Sequence, residues 1–526
     1  MNKKILLMIF LLLIYVINSF SSLIRLGNKP LSLGNVYTAY NGDVYSLFTN
    51  PAGLYGDKMF DLKLDLLSNL NFTGNILYNI NNIIENSDKF EKILQSQQEG
   101  TSIDIVQISS LLFAIKNLVE IDKPGKGMLV GINGGMSVKF KNFAFGVRNV
   151  TDIGLKPRVD TNFYLGSIST YSSNFAMNNI SVLKFTETNN PSNAEGIVLT
   201  TSTLKYENLA SVRDDLAENV LPWLINELEK MNVKVPQEIK DNLEGIANTL
   251  INLSVDNGAS EKDVKNAVEQ LKDPSLQKLI SDILHKTTTS TTLEHNESGL
   301  TLKGVNYTEL ILGYSYSIFS NIHLGVGIKY LIGKTFYYNF KIFQKNRAID
   351  FKDIMDLENK LIRNSQAIGL DLGAIYKLPI PVVEVNLGLL VKNLIEPYFN
   401  LPNTDEKLKL PRQVKLGAVG SFKILKFGLD LDLNKVETFV EGYNIQNVAL
   451  GVEVIPPIIL PSLRLGYLKN LAYESDQIFS VGLGFKIFIV NFDLCCAFNS
   501  QKTRINKDFV LPTSNLFLGL SLGVEF

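Results

Sequence analysis

Alternation constrains this chain more than any other feature. From Asn515 to Phe526, Leu516, Leu518, Leu520, Leu522, Val524 and Phe526 form an apolar row at period two, with Phe517, Gly519, Ser521, Gly523 and Glu525 between them. A period of two puts one row on each face of a strand. The pattern recurs in 322–330, 383–391, 427–433 and 479–487, where one row is apolar and the other is mainly glycine, polar and charged residues. One such strand would suit the edge of a soluble sandwich. A long succession of them, with a second row too poor in bulk to cover an outer surface, suits a barrel with its apolar row in lipid and a hydrated lumen.

Counting sharpens this. Strands are expected near 58–70, 127–140, 142–154, 300–319, 321–343, 366–378, 382–395, 411–422, 425–436, 445–455, 460–470, 477–487, 489–500 and 515–526. Connections alternate in length. Those at Lys141-Asn142, Ser320, Pro379–Pro381, Lys423-Ile424, Pro456–Ile459 and Phe488 are tight, and those carrying 71–126, 155–299, 344–365, 396–410, 437–444, 471–476 and 501–514 are longer. Short periplasmic turns and long outer loops mark outer-membrane barrels. The expected fold is an all-β transmembrane β-barrel of about 14 antiparallel strands over 58–526.

The N-terminus reads as a secretory signal over residues 1–22. Lys3 and Lys4 precede an apolar run, Ile5 to Ile17, that is too short to span a bilayer, and small residues follow near Ser21-Ser22. Removing it leaves 49 basic against 52 acidic residues, a formal net charge of −3, which gives no footprint for nucleic acid. Hydrophobic residues make up 45% and mean hydropathy is +0.10, yet no later apolar run reaches 18 residues, so spanning helices are excluded. Cys495 and Cys496 are adjacent in a strand pattern and point to opposite faces. With three scattered histidines they form no metal-ligand pattern, and no cofactor motif is present.

Two long connections read as helical. Residues 76–121 suggest helices Ile76–Leu94 and Ile103–Val119. Within the connection 155–299, stripes at Leu216, Val220, Leu224 and Leu228, at Ile239, Leu243, Ile246 and Leu250, and at Val264, Val268 and Leu271 mark a helical insertion over about 205–285. Charges on nearly every turn make it a small solvated bundle, expected to pack on itself and on the barrel mouth.

Four stretches resemble a known family. They are Gly34 to Gly53, ending Asn50-Pro51-Ala52-Gly53; Glu309 to Tyr338; Gly369 to Ala374, leading to Val391–Pro397; and Leu410-Pro411-Arg412 through Leu433, continuing to Leu463–Tyr467. Together they resemble the FadL-like outer-membrane barrels, and most closely the exported TraF-like ("conjugal transfer" TraF) proteins. The resemblance implies an N-terminal hatch folded into the lumen (23–57), shaped by Asn50, Pro51, Ala52 and Gly53. It also implies passage of hydrophobic small molecules through an opening in the wall. The redox cysteines of thioredoxin-like proteins that share the name are not found in this chain.

Other constellations carry less. Gly333-Lys334-Thr335 lies inside a strand and lacks the upstream glycine of a phosphate loop. Asp371, Glu384, Asp430, Asp432, Glu453, Lys377, Lys392, Lys415, Lys426, Arg464 and Lys486 fall on the inferred lumen row, where mixed signs suit an ion-pair network better than acid–base chemistry. No catalytic residue is assigned. Phe526 is expected to be the C-terminal signal read by the barrel-assembly machinery. The expected partners are outer-membrane lipid, that machinery and a hydrophobic small molecule. The expected function is a FadL-type uptake channel; the alternative is a non-transporting barrel that serves as an assembly or surface platform for a secretion- or conjugation-type machine.

Overall fold

Fourteen antiparallel strands close on themselves. They are β1 (Phe60–Thr73), β2 (Gly127–Phe140), β3 (Phe143–Arg158), β4 (Gly299–Phe319), β5 (Ile322–Lys341), β6 (Ile362–Leu378), β7 (Glu384–Ile395), β8 (Gln413–Phe422), β9 (Leu425–Asp432), β10 (Asn447–Val454), β11 (Ser462–Asn470), β12 (Gln477–Ile487), β13 (Val490–Asn499) and β14 (Asn515–Glu525). Each pairs with its neighbours in chain order, and β14 returns to β1 in unbroken register from Asp61↔Glu525 to Asn71↔Asn515. At this seam the Phe526 amide donates to the Phe60 carbonyl at 3.1 Å, the Phe60 amide to the Phe526 carbonyl at 3.0 Å, and the two rings stack at 5.1 Å. The computed structural model describes residues 27–73, 75–85, 104–158, 160, 203–230, 235, 237–286, 297–341, 362–457, 460–473, 476–505 and 509–526. The expected signal segment 1–22 lies outside them.

All fourteen strands carry large, exposed apolar side chains on their outward row. On β9, Leu429 is 45% exposed whereas Asp430, one residue on, is 3% exposed. An apolar band encircling a protein is not left in water, so the barrel spans a membrane with this row in lipid. Among the described residues no helix is long and apolar enough to cross one. Tight hairpins end the strands on one side. Lys141, Lys423 and Phe488 each open a two-residue turn with φ of 51°, 52° and 55°, the positive φ that a close hairpin demands. The ladder has one wide irregularity, between β6 and β7. Leu372 pairs with Val391 and Leu370 with Ile395, so Asp371 faces the bulged stretch Lys392–Leu394, with Asn393 at φ 52°.

The lumen is filled. At the short-turn side lies the N-terminal segment expected to be a hatch, called the hatch below, with helix α1 (Asn28–Ser32) and two 3-10 turns, Val44–Leu47 and Pro51–Leu54. At the other side two loops turn inward. The ribbon Tyr398–Asn400/Lys407–Lys409 packs Phe399, Leu401, Leu408 and Leu410 against Val150, Val305, Tyr307 and Leu331, and the loop between β9 and β10 packs Val440 and Tyr443 against Leu129.

The helices of the two long connections lie outside. They are α2 (Ile76–Glu85), α3 (Ile105–Asp122), α4 (Ala210–Asp215) running through a π-turn (Leu216–Val220) into α5 (Leu221–Lys230), α6 (Gln237–Lys240), α7 (Leu243–Asp256), α8 (Glu261–Leu271) and α9 (Pro274–Lys286). One apolar core joins the helices of both connections. The strand residues in that core or packed against it are Leu70, Phe72, Met128, Val130, Leu155 and Leu300. These belong to the outward rows of β1–β4, since Asn69 and Asn71 line the lumen and side chains alternate. The described helices therefore lean on the outer wall at the long-connection end of β1–β4. Leu511, in the connection between β13 and β14, packs against the same core.

Candidate functional site

The hatch motif sits where the hatch meets the wall. Asn50 Oδ1 accepts from the Ala52 amide at 3.1 Å and so caps the 3-10 turn that Pro51 begins. Its Nδ2 donates to the Thr38 carbonyl at 2.6 Å and reaches the wall carbonyls of Ala374 and Leu389 at 3.4 and 3.3 Å. Four further bonds fix the segment to other strands. The Tyr37 and Thr38 amides donate to Asp430 Oδ2, each at 3.0 Å, and the Thr38 hydroxyl at 2.6 Å. The Val44 amide donates to Asp61 at 2.8 Å. Tyr37 and Tyr40 stack at 4.6 Å within the hatch core.

The glycines of the lumen row acquire a reason here that differs from the one expected. Their small size does not leave room for water. A Cβ on Gly325 would overlap the Ala52 amide, one on Gly373 the Asn50 side chain, one on Gly388 the Thr38 carbonyl, one on Gly466 the Gly34 amide, and one on Gly519 the Asn28 side chain. The wall lacks side chains where the hatch backbone presses against it.

The charged lumen residues form paired groups around the hatch. Lys329 and Asp371 lie 2.6 Å apart, Lys415 and Asp432 3.0 Å, and Arg148 and Glu309 3.1 Å. Arg464 bridges Glu453 at 2.8 Å and Asp493 at 2.6 Å, and Lys29 of the hatch approaches Glu453 at 3.8 Å. Lys392, in the β7 bulge, donates to the Phe48 carbonyl of the hatch at 2.9 Å. Glu384 pairs with Lys377 at 2.9 Å at the short-turn rim, where both are about two-fifths exposed, away from the other groups. Sequence reasoning placed Lys329 on the lumen row but overlooked Asp61, Lys63, Arg148, Glu309 and Asp493 as lumen groups. Extending the alternation along each strand from its clearest apolar stretch would have found them.

Two voids border the hatch. Between it and the inturned loops lies a cavity of about 110 Å³, lined by Asn35 of the hatch, Asn69 and Asn71 of β1, Phe517 of β14, and Phe439 and Tyr443 above. On the lipid face, an apolar groove of about 620 Å³ runs over β5–β9 between Tyr376, Leu387, Leu389, Leu416 and Leu429, with the small residues Ala374 and Ala418 in its floor. Behind that floor, Gly388 and Gly417 touch Thr38 and Ala39 of the hatch. Only the thickness of the sheet separates groove from hatch.

Among the described residues one serine–histidine pair lies outside this arrangement. His323 Nδ1 lies 2.7 Å from Ser317 Oγ across the β4–β5 hairpin, a pairing not foreseen from sequence. Its Nε2 is buried with no hydrogen-bond partner, and the ring stacks on Tyr55 at 3.4 Å, so no carboxylate orients it as a triad requires. Gly333-Lys334-Thr335 lies within β5. Among the described residues no three His, Cys, Asp or Glu side chains gather as metal ligands.

The model of the family described as "F plasmid transfer operon, TraF, protein" matches residues 47–432, 386 of the 526. No curated protein matches the sequence. Similar solved structures include the toluene transporter TbuX of Ralstonia pickettii, at 10% identity and TM-score 0.41, over 96% of this chain and 99% of that one. The toluene transporter TodX of P. putida is similar at 10% identity and TM-score 0.40, over 96% and 99%. A FadL homologue of Pseudomonas aeruginosa is similar at 10% identity and TM-score 0.40, over 97% and 99%. The strand count and closure rest on this chain's own register. With almost three quarters of its length inside the family model, the chain belongs to the family of the F plasmid transfer operon protein TraF, which its hatch motif and strand stretches resemble.

Proposed function

We propose that this protein is an outer-membrane barrel that moves small hydrophobic or amphipathic compounds from the cell exterior, past the hatch, into the bilayer. The observation that carries this reading is the lipid-facing apolar groove backed by Gly388 and Gly417. It puts an apolar berth in the wall beside Thr38, Ala39 and Asn50 of the hatch. In this reading residues 1–22 direct export and are removed, the long connections face outward, and Phe526 is recognised during barrel assembly. Asn50, Pro51, Ala52 and Gly53 hold the hatch against the wall where a substrate leaves. Filling the groove tests the route. The pair Ala374→Trp and Ala418→Trp is expected to cut accumulation of a labelled aromatic compound by cells about tenfold while the barrel still runs heat-modifiably on gels. Equal accumulation by cells with and without the protein overturns the reading.

A second reading, a platform for a secretion- or conjugation-type machine, draws on the helical bundle. Its apolar residues turn inward or onto the wall, and its outer surface is charged. In-cell crosslinking from Lys262 and Lys265 of α8 to a second envelope protein supports a platform, and an uncrosslinked barrel with intact uptake removes it.

A further inference from the structure

We infer that the tips of four short hairpins, β6–β7, β8–β9, β10–β11 and β12–β13, are sunk in the membrane leaflet on the short-turn side and hold the barrel there by contact with lipid. The inference rests on the outward row lying in lipid and is independent of transport.

A turn that stands in water is usually built from glycine and small polar residues. These tips are not. Ile380 and Val382 stand out between β6 and β7, Ile424 between β8 and β9, Ile455 and Leu460 between β10 and β11, and Phe488 and Ile489 between β12 and β13. Val382 is 85% exposed and Phe488 93%, so neither side chain covers any part of its own fold.

The backbone makes this choice of residue costly. Phe488 and Val382 have φ of 55° and 77°. A hairpin ordinarily places glycine or asparagine at such an angle, and a β-branched side chain there is an outlier. A side chain that adds strain and touches little within the fold has its contact outside it.

Continuity identifies that contact as lipid. Ile487 and Val490 face each other in the last rung of the β12–β13 ladder and belong to the outward row. With Phe488 and Ile489 between them they make four successive exposed apolar residues. Phe422 and Leu425 close the β8–β9 ladder in the same way, next to Ile424. The apolar row therefore runs off the strand ends and onto the tips. The one charged residue in the four tips is Lys423. Its ammonium lies 5.3 Å from the centre of the Phe422 ring, the posture of a cation at headgroup level with its stem on apolar surface. The tips stand in single file along the rim from β6 to β13, a line that a leaflet meets throughout and a compact protein patch does not. Two of the hairpins end strands that carry the lipid-facing groove, so sinking their tips keeps the groove in hydrocarbon and clear of headgroups.

Bromine-labelled lipid reads the depth of a tryptophan. The full chain carrying Trp223→Phe, which removes the sole native tryptophan, is reconstituted with Phe488→Trp or Ile424→Trp in phosphatidylcholine vesicles brominated near the headgroup or deep in the acyl chains. Each variant is expected to lose about half of its emission or more to the shallow bromines and less to the deep ones, as an interfacial ring does. Leu429→Trp, in the middle of the outward row, is expected to show the reverse. Phe488→Asn gives a second reading, since asparagine tolerates this angle better than phenylalanine. It raises the urea midpoint if the tip is in water, and is expected to lower it in vesicles. All variants are checked for heat-modifiable migration. Tip emission that neither bromine quenches overturns the inference, and with Leu429→Trp quenched in the same vesicles it does so without disturbing the outward row. If that emission is blue and shifts to the red on dilution with lipid, a second copy covers the tips; if it is red throughout, they are open to another protein; both overturn the lipid contact. A raised midpoint for Phe488→Asn overturns it as well. Quenched tips with equal accumulation of aromatics by cells with and without the protein keep the inference and remove the uptake reading.

Discussion

The hatch and the helical bundle are held by opposite faces of the same sheet, and they are held differently. On β1 the change occurs within one residue: Asn69 and Asn71 face the lumen cavity, while Leu70 and Phe72 face the bundle core. Inside, contact is made by backbone on backbone. Glycines permit close approach, and ionised side chains direct hydrogen bonds, as Asp430 does for Tyr37 and Thr38. Outside, contact is made by area, with apolar residues of α2 and α3 on an apolar row and α8 packed on α3 behind them. Directional contacts fix position, so a change at one of them is felt as strain or as a lost partner. Area contacts tolerate substitution until enough surface is removed.

The hatch side should therefore be the more sensitive, starting with Asp430. From sequence alone Asp430→Arg would be expected to be mild, as a swap on a hydrated row. The three hydrogen bonds it accepts from the hatch overturn that expectation. Charge-assisted bonds contribute about 1.5–3 kcal/mol each, so Asp430→Arg should destabilise by more than about 3 kcal/mol. Asp430→Asn, which keeps an acceptor oxygen, should recover a good part of that. The urea midpoint of the detergent-solubilised barrel reads both. Equal midpoints for wild type and Asp430→Arg would mean that the hatch is not fixed through this residue.

One residue away, Leu429→Arg reports on the outward row. An arginine near the bilayer midplane costs about 2–4 kcal/mol, measured as the same midpoint in lipid vesicles. A Leu429→Arg barrel as stable as wild type would put this row in water and dissolve the distinction between the faces.

A glycine pair isolates close approach from burial. A Cβ at Gly466 overlaps the hatch at Gly34, whereas a Cβ at Gly420, on the outward row, meets nothing within 4 Å. Gly466→Ala should cost about 1–3 kcal/mol through overpacking, and Gly420→Ala should stay within about 0.5 kcal/mol of wild type. Similar losses at the two positions would assign the effect to strand propensity and not to the hatch.

The two faces were unequally legible in the sequence. Period-two rows and the short–long rhythm of connections report on each strand locally, which is why all fourteen strands fall within a few residues of their expected positions. The glycine row was visible and its purpose was not. A small side chain facing a lumen suits water or a packed segment equally well, and only the fold brings Gly325 to Ala52 across 273 residues of chain. The attachment of the bundle was missed for a related reason. Its stripe at Val264, Val268 and Leu271 announces a partner surface without saying that α3 of the other long connection provides it, and the outward residues of β1–β4 that join the same core read in sequence as more lipid row.

The smallest expected effect tests the bundle's own cohesion. Asp273 precedes α9, accepts from the Ser275 amide at 2.8 Å and the Ser275 hydroxyl at 2.6 Å, and pairs with Lys116 of α3. Partial burial raises its pKa, but the bonds from Lys116 and Ser275 outweigh this and bring the carboxyl down to about 2. A folded value below the unfolded one contributes stability that is present above about pH 4 and is lost as pH falls toward 2. The Asp273 side chain is 39% exposed, so solvent screens the pair and its contribution is about 1 kcal/mol or less. Amide exchange at the start of α9 should quicken between pH 4 and 2, beyond the intrinsic change with pH, while the hatch amides of Tyr37 and Thr38 stay protected in the same samples. Asp273→Asn should flatten the bundle's response, and raised salt should shrink it. If α9 keeps its protection down to pH 2 in the wild type, the Lys116–Asp273 pair does not hold α9, and the join between the two helical connections falls to their apolar core and to the Ser109 hydroxyl, which donates to the Ala267 carbonyl and to Gln270 Oε1.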